Sequence, residues 1–515
     1  MASSRDGLNG FKVSFLHIFK GNVGPGCLSL PYAFSQMPRS LALSSVICLA
    51  ALTSFNSLIL TRLVPSAAAM TTYVDLGRLY DDLNSAGGRA LGQRIVKLSI
   101  LMQQLSICCV YFSFVADNMA NLSLWGGSLS NRFRQVIIMS AMYPLVAVWV
   151  SRVRSLSDLA MVSKYATIVL LFSFLVVVLT TSCGAVDVND GNDGSDGSDG
   201  SDGNGDSDYN NNIHQGHNDG EYDRSATFTS GMLGFSAILY SFEGVCLVLP
   251  VYNSMPQKER FPTVFLSAIS TVAATYVMFG FYCMETIGKV DNGSITAFMS
   301  AHASGRWRWL IETVNALLAG VVLATYPLQF FPVSEIIEES AGISADCGSN
   351  FYEEIGENEF MGDDKLENNN AESSGNDNVV VVVVAASSIQ SEDVREVAGS
   401  CEPVKDAESV EEMSLVKDSA SGRSRKSSTN SIVWKKVLLV TLTYLLAMLI
   451  PSLSLLMSLA GSLAGSLVAL ILPGLLYIGI KGNSFLMTTL VVTGVAVMVA
   501  GASASITEMF RQGFG

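Results

Sequence analysis

The stretch that decides the fold is HIFKGNVGPGCLSLPYAF, His17 to Phe34. It lies within an apolar run, residues 11–37, that exceeds the roughly 20 residues a helix needs to cross a bilayer. Its centre, however, carries Gly21, Gly24, Pro25 and Gly26 within six positions. Proline removes a backbone donor and glycine disfavours helix, so the helix must break there. In hydrocarbon such a break survives only where neighbours or a lined cavity meet the freed backbone groups. Ten further apolar runs follow, at 41–61, 95–123, 133–151, 159–183, 227–252, 262–286, 307–333, 433–454, 457–480 and 484–506. The expected fold is therefore an all-α integral membrane protein with about 11 transmembrane helices. Pro451 and the serines after it are the only separator between the ninth and tenth runs.

Composition agrees. Of 515 residues 49% are hydrophobic and 15% charged, against about a quarter charged in a soluble domain, and the mean hydropathy is +0.39. The net charge of -14 is a sum of opposites. Asp187–Arg224 holds 11 acids and 1 base, and Glu335–Lys426 holds 22 acids and 7 bases, leaving 12 acids and 23 bases elsewhere. A basic apolar body thus carries two acidic inserts, expected as disordered loops at 184–226 and 335–431 because they hold too little apolar surface to offset chain entropy. The first is a solvated linker in which the Asp spacing and His214 and His217 give no closed metal set. The second contains six valines, Val379 to Val384, that read as an aggregation risk or a docking strand for a cytosolic partner, and it ends on Arg423, Arg425 and Lys426. With no basic patch on a soluble domain, nucleic-acid binding is excluded. Four scattered histidines supply no catalytic constellation or metal set, so an enzyme is not expected.

Lys and Arg bias sets orientation. With a cytosolic N-terminus, residues 1–10, the short inner segments hold 14 Lys and Arg and the outer ones 8. Both Asn-x-Ser sequons, at Asn121 and Asn292, then fall on the outer or lumenal side and are glycosylation candidates. Met1 to Gly10 lacks the features of a cleavable signal, so the first span reads as an anchor. The nine cysteines form no disulfide framework; Cys183 and Cys283, near the outer face, are the one pair considered.

A second break matches the first. The sixth run contains Ser241, Phe242, Glu243 and Gly244 at its centre. Spans one to five (11–183) and six to ten (227–334 and 432–480) then form two halves of five, an odd number that inverts the topology of the second, with 484–506 as an extra helix. Paired interruptions at corresponding places point to a transporter with its site near the midplane, against the simpler reading of two glycine hinges. Unwinding frees N–H groups at Gly24, Gly26 and Cys27 that suit a carboxylate, and carbonyls near Ser241 and Phe242 that suit an ammonium. An amino acid carries both. Glu243, a carboxyl within a span, either carries a proton or holds the unwound backbone. His17, one turn before the first break, is either a proton-responsive group or an interfacial aromatic.

Four stretches then resemble the amino acid/auxin permease family, in particular its proton-coupled and vacuolar branches: His17–Phe34; LYSFEGVCLVLPVYNSM, Leu239–Met255; TYPLQFFP, Thr325–Pro332; and AMLIPSLSLLMSLAGSLAGSLVALILP, Ala447–Pro473. The resemblance covers the eleven spans and neither insert. It implies a LeuT-like fold of two inverted five-helix repeats plus an extra helix, and secondary active transport of neutral amino acids across a lipid bilayer. It assigns proton coupling to His17. It places Asn22, Gly24, Gly26 and Cys27 at the carboxylate site, Ser241, Phe242 and Glu243 at the second break, Tyr111 of CVYFSFVADN on the pocket side of the third span, and Tyr326 on the eighth-span wall. Pro25 departs from the family pattern by removing one N–H from the cradle. No organic cofactor is implied; the coupling ion is the proton, with sodium as the alternative. A vacuolar or lysosomal membrane is favoured over the plasma membrane by the same resemblance. The rival reading is an amino-acid sensor that signals through the 335–431 loop.

Overall fold

The structure is a computed structural model that describes residues 2–64, 72–84, 90–125, 129–152, 157–184, 219–255, 257–303, 305–340, 431–450 and 452–514. The chain divides into a helical body, Met1–Gly356 with Trp434–Gly515, and a second unit, Glu357–Val433, of which only residues 431–433, the start of a helix, are described. The expectations for His214, His217, Val379–Val384, Arg423, Arg425, Lys426 and a loop-bound partner lie outside the described residues.

The first run folds as α1 (Ala2–Asn22), a 3-10 turn (Pro25–Ser29) and α2 (Leu30–Ser35). Then come α3 (Arg39–Leu63), α4 (Tyr73–Asn84), α5 (Leu91–Ala120), α6 (Asn131–Arg152) and α7 (Ser157–Ser182). The second half opens with α8 (Asp219–Ser241), a 3-10 turn (Glu243–Leu247) and α9 (Val248–Ser254). It continues with α10 (Phe261–Ile287), α11 (Ile295–His302), α12 (Arg308–Ser340) and α13 (431–449). Finally come α14 (Leu453–Ala460), a π-helical segment (Gly461–Ile471), α15 (Leu472–Lys481) and α16 (Phe485–Phe514). Among the described residues, ten helical segments are long and apolar enough to cross a membrane. The first run is not among these ten, because the break divides it between α1 and α2. It is the eleventh segment, and the described residues form an all-α membrane architecture with interrupted first and sixth segments.

Burial sorts the segments into a centre and a rim. In the tenth segment 83% of the apolar window is buried, in the sixth 76% and in the third 67%, whereas the last has 17% and the fourth 22%. The rim helices expose Leu145, Val148, Leu171, Leu175, Leu179, Leu449 and Val492. A belt of this kind is unfavourable in water and satisfied by lipid. At the centre, small residues let backbones approach. A Cβ at Gly461 would run into Ser236 O and lie 2.9 Å from Tyr240 N, and one at Gly465 would sit 3.3 Å from Leu239 Cγ. Ser458 Oγ donates to Leu233 O at 2.9 Å. The tenth segment therefore grips α8 immediately before its break. Ser452 separates α13 from α14 by capping, its hydroxyl accepting from Leu455 N at 3.3 Å.

Four details differ from the sequence reading. Helix α1 already runs from Ala2, so residues 2–10 are helical. Helix α12 continues to Ser340, where Glu338 pairs with Lys436 at 2.8 Å and Glu339 with Arg78 and Lys97 at 2.9 and 3.0 Å. These ion pairs hold acids that composition alone assigned to the second loop. Cys183 and Cys283 are both free thiols, one exposed at the end of α7 and the other buried in α10. Helix α4 was not foreseen. It buries Tyr73, Leu76 and Gly77, and Asp81 caps α5 by accepting from Gly92 N at 2.6 Å and Gln93 N at 2.9 Å, a carboxylate placed at a helix N-terminus.

The close approach at Gly461 gives a direct test. Gly461→Leu is expected to destabilise the body by about 1–3 kcal/mol through overpacking, whereas Gly320→Leu, where an added Cβ meets nothing within 4 Å, is neutral. Thermal unfolding in detergent, followed by size-exclusion, checks both.

Candidate functional site

Helix α1 ends where Asn22 turns its amide back on the helix, Nδ2 donating to Ile18 O at 2.8 Å. Gly24 is extended, at φ -115° and ψ -170°, a conformation open to any residue, and Pro25 then starts the 3-10 turn. The amides expected to be free are partly engaged. Gly24 N donates to Asn22 O at 3.2 Å and Cys27 N to Gly24 O at 3.1 Å, while Cys27 Sγ also reaches Gly24 O at 2.6 Å. The reason is the tightness of the turn, which brings these donors within reach of carbonyls two and three residues upstream.

The second break lies against the first. A Cβ on Gly244 would overlap the Asn22 side chain, 2.7 Å from its Cγ, and one on Gly21 would meet Leu247. Hence only glycine at these two positions lets the turns touch. Ser241 Oγ donates to Gly26 O at 2.9 Å, or to Ala237 O at 3.1 Å within its own helix, and Ser29 Oγ donates to Gly26 O at 2.7 Å. Tyr276 on α10 joins both breaks: its hydroxyl lies 2.5 Å from Asn22 O and 2.8 Å from Ser241 O, and its ring meets Phe242 edge-on at 5.2 Å. Tyr73 on α4 donates to Val245 O at 2.8 Å. Burial of that phenol, outside the spanning segments, raises its pKa well above the usual value, so it remains a donor. Asn22, Cys27, Ser241, Phe242 and Tyr276 are all buried.

One acceptor is left over. Asn22 Oδ1 is buried with no hydrogen-bond partner, beside Gly244. A buried amide oxygen without a donor costs about 1–3 kcal/mol, which a ligand N–H at this point would recover. Asn22–Ser29 contains no carboxylate and no basic side chain, and the second break contains only Glu243, whose side chain lies outside the described residues. The lining thus offers one orphan acceptor and two amide donors already engaged within the turn.

The remaining sequence candidates are dispersed. His17 is half-buried on α1, five positions before Asn22. Tyr111 is buried on α5 and accepts from Gln329 Nε2 of α12 at 3.2 Å. Tyr326 directs its hydroxyl to Thr443 Oγ1 of α13 at 2.8 Å and its ring to Phe112 at 5.2 Å, a helix–helix interface rather than the breaks. Asn121 donates to Asp117 O at 2.9 Å, and Asn292 accepts from Ser294 N at 2.8 Å. Sequence reading missed Tyr276 and Tyr73. The available signals were Tyr276, the one of the two tyrosines of the largely apolar α10 that lies near its middle, and the spacing of Tyr73, Leu76 and Tyr80 on one face of a short helix.

Two facing interrupted helices in an apolar multi-span fold are the architecture of a membrane transporter of small solutes. The family model for transmembrane amino acid transporter proteins matches residues 9–507; the chain belongs to this family and is a multi-pass amino acid transporter, not an enzyme family. It is 25% identical to amino acid transporter AVT3C of Arabidopsis thaliana over 338 residues, 63% of this chain and 69% of that protein. Amino acid transporter AVT3B of the same plant is 24% identical over 336 residues, 63% of this chain and 70% of that protein. A crystal structure of the Eremococcus coleocola manganese transporter aligns over 99% of this chain and 97% of that one, with 11% identity and a TM-score of 0.36, too weak a likeness to carry an argument.

The phenol of Tyr276 provides the test of this junction. Tyr276→Phe keeps the ring on Phe242 but strips a donor from two buried carbonyls, and is expected to lower stability by about 1–3 kcal/mol. A fall in the thermal midpoint of the purified protein, with normal expression, is the expected result.

Proposed function

We propose that this transporter carries neutral amino acids together with protons, by alternating access around the two breaks. The observation that supports it is the unpartnered Asn22 Oδ1 across from the Gly24 and Cys27 amides, whose own bonds are long at 3.2 and 3.1 Å. The substrate carboxylate takes the amides in place of Asn22 O and Gly24 O, as anions do at helix N-termini. The ammonium takes the orphan amide oxygen and the carbonyls that Tyr276 holds when the breaks are closed. Small lining residues and Phe242 favour a neutral side chain. Rocking of one helix set against the other opens the junction to each side in turn.

His17 is the proposed coupling group, because imidazole changes charge near neutral pH and α1 transmits its position to Asn22 five residues on. Glu243 is the second proposed proton-linked group. With the N-terminus cytosolic and the protein in a vacuolar or lysosomal membrane, an acid lumen drives amino acids into the cytosol. Gly24, Gly26, Cys27, Asn22, Ser241 and Phe242 form the proposed substrate site, and Tyr111 is a proposed outer contact.

Purified protein in liposomes, given labelled neutral amino acids, an imposed pH gradient and no sodium, is expected to accumulate them until a protonophore is added. Accumulation that needs sodium instead would transfer the coupling to that ion, and binding without flux would favour a sensor. His17→Ala is expected to retain exchange of labelled for unlabelled amino acid while losing pH-driven accumulation; undiminished accumulation would remove His17 from the mechanism. Gly24→Val is expected to weaken substrate affinity by blocking the turn, and normal affinity would place the carboxylate elsewhere.

A further inference from the structure

Helix α5 ends on a buried carboxyl that the substrate site does not use. Asp117 is 5% exposed. Its Oδ1 accepts from Gln135 Nε2 at 2.9 Å and Asn121 Nδ2 at 3.4 Å, and the Asn292 side chain also interacts with the carboxyl, while Oδ2 is buried without a hydrogen bond of normal geometry. Among the described residues no Lys, Arg or His forms an ion pair with it. The neighbouring polar groups are neutral. Asn118, fully buried, accepts at Oδ1 from Thr296 at 2.7 Å and Ser294 at 3.2 Å. Its carbonyl accepts from Asn315 Nδ2 at 2.9 Å, and Asn315 Oδ1 is a second orphan acceptor.

The charged groups on the surrounding elements are committed elsewhere, carry the wrong sign or, like Lys289 of the α10–α11 link, are exposed and form no ion pair with Asp117. On α6, Arg132 donates to Met448 O at 2.5 Å and Arg134 to Ala120 O at 3.3 Å. On α12, Glu312 pairs with Arg308 at 2.9 Å and accepts from Ser123 at 2.7 Å. On α11, His302 Nδ1 lies 2.9 Å from Phe298 O. In the link between α10 and α11, Asp291 is exposed and acidic, and it adds negative charge near Asp117. A carboxylate buried among neutral amides and hydroxyls, with another acid nearby and no counter-ion, relieves its cost by taking a proton.

Its location gives that proton a mechanical consequence. Asp117 itself meets α6 and the α10–α11 link, and the next residue, Asn118, bonds α11 and α12. The link is tied to the end of α2 by Ser35 Oγ donating to Val290 O at 2.8 Å, and α11 packs on the 3-10 turn of the first break. The geometry points to Asp117 as a proton-binding site, whose carboxylate takes a proton from solvent at the end of α5 and returns it to solvent in each transport cycle. No bond other than this O–H forms or breaks. The inference rests on the proton-coupled reading above and adds a residue to it.

The test uses the full chain in liposomes. Asp117→Asn, a fixed mimic of the protonated form, is expected to lose pH-driven accumulation, to show exchange that no longer varies with pH, and to be rescued by Asp117→Glu, with the midpoint of the exchange pH profile shifted. Accumulation by Asp117→Asn at the wild-type level, or a wild-type pH dependence of its exchange, would overturn the assignment while leaving proton coupling intact. Loss of exchange as well as accumulation in a folded variant would also overturn it, since that outcome marks a structural role. If Asp117→Asn does not fold, Asp117→Glu decides alone: a shifted pH midpoint supports the site and an unchanged one excludes it. Failure of the wild-type protein to respond to a pH gradient would instead remove the coupling reading itself.

Discussion

Everything in this protein depends on how two interrupted backbones are satisfied inside hydrocarbon. A helix in lipid closes its own hydrogen bonds; a helix that stops halfway exposes carbonyls and amides that no lipid can meet. Here each interruption is met by the other. Ser241 of the sixth segment reaches Gly26 O in the first, and Tyr276 spans Asn22 O and Ser241 O, so a single phenol stands at the junction of both turns. Several of these bonds are shared or have an alternative partner: the Tyr276 hydroxyl serves two carbonyls, and Ser241 Oγ reaches both Gly26 O and Ala237 O.

That junction requires close approach, and the sequence supplies it through residues that lack bulk. Gly244 leaves room for the Asn22 side chain and Gly21 for Leu247, while Gly461 and Gly465 let the tenth segment lie on α8 just before it breaks. The π-helical stretch Gly461–Ile471 forms part of this support; π geometry inside helices is commonly associated with functional sites. The rim helices α6, α7, α13 and α16 have a different task. Their leucines and valines face lipid, and they enclose the centre without contributing to the junction.

Two of the buried polar clusters among the described residues bear on the proposed cycle. The one at the breaks consists of backbone groups with one orphan amide oxygen, proposed to hold a zwitterion. The one at the end of α5 consists of an acid without a counter-ion among amides and hydroxyls. Helix α11 and the α10–α11 link stand between the two, so a change of charge at one place is a change of packing beside the other. On the proposed reading, the proton-binding carboxyl of Asp117 stands apart from the two breaks that hold the substrate.

Sequence alone determined the membrane class, the eleven apolar segments and the positions of both breaks, because hydrophobic run length, glycine and proline act locally and a bilayer leaves few alternatives. The pairing of His17–Phe34 with Leu239–Met255 was legible for the same reason. Tertiary structure alone decided what the breaks touch. Tyr276 lies 35 residues beyond Ser241 in the chain and Tyr73 in a connection with no apolar run. Tyr326, a plausible wall residue by position, turns its hydroxyl to α13 because Thr443 is there. The engaged amides of Gly24 and Cys27 depend on the closure of one turn. Asp117 reads in sequence as an ordinary acid near a helix end, and only its packing against α6 and the α10–α11 link removes its water. Local chemistry fixes where a helix must stop; which side chain answers the stopped backbone depends on contacts between residues far apart in the chain.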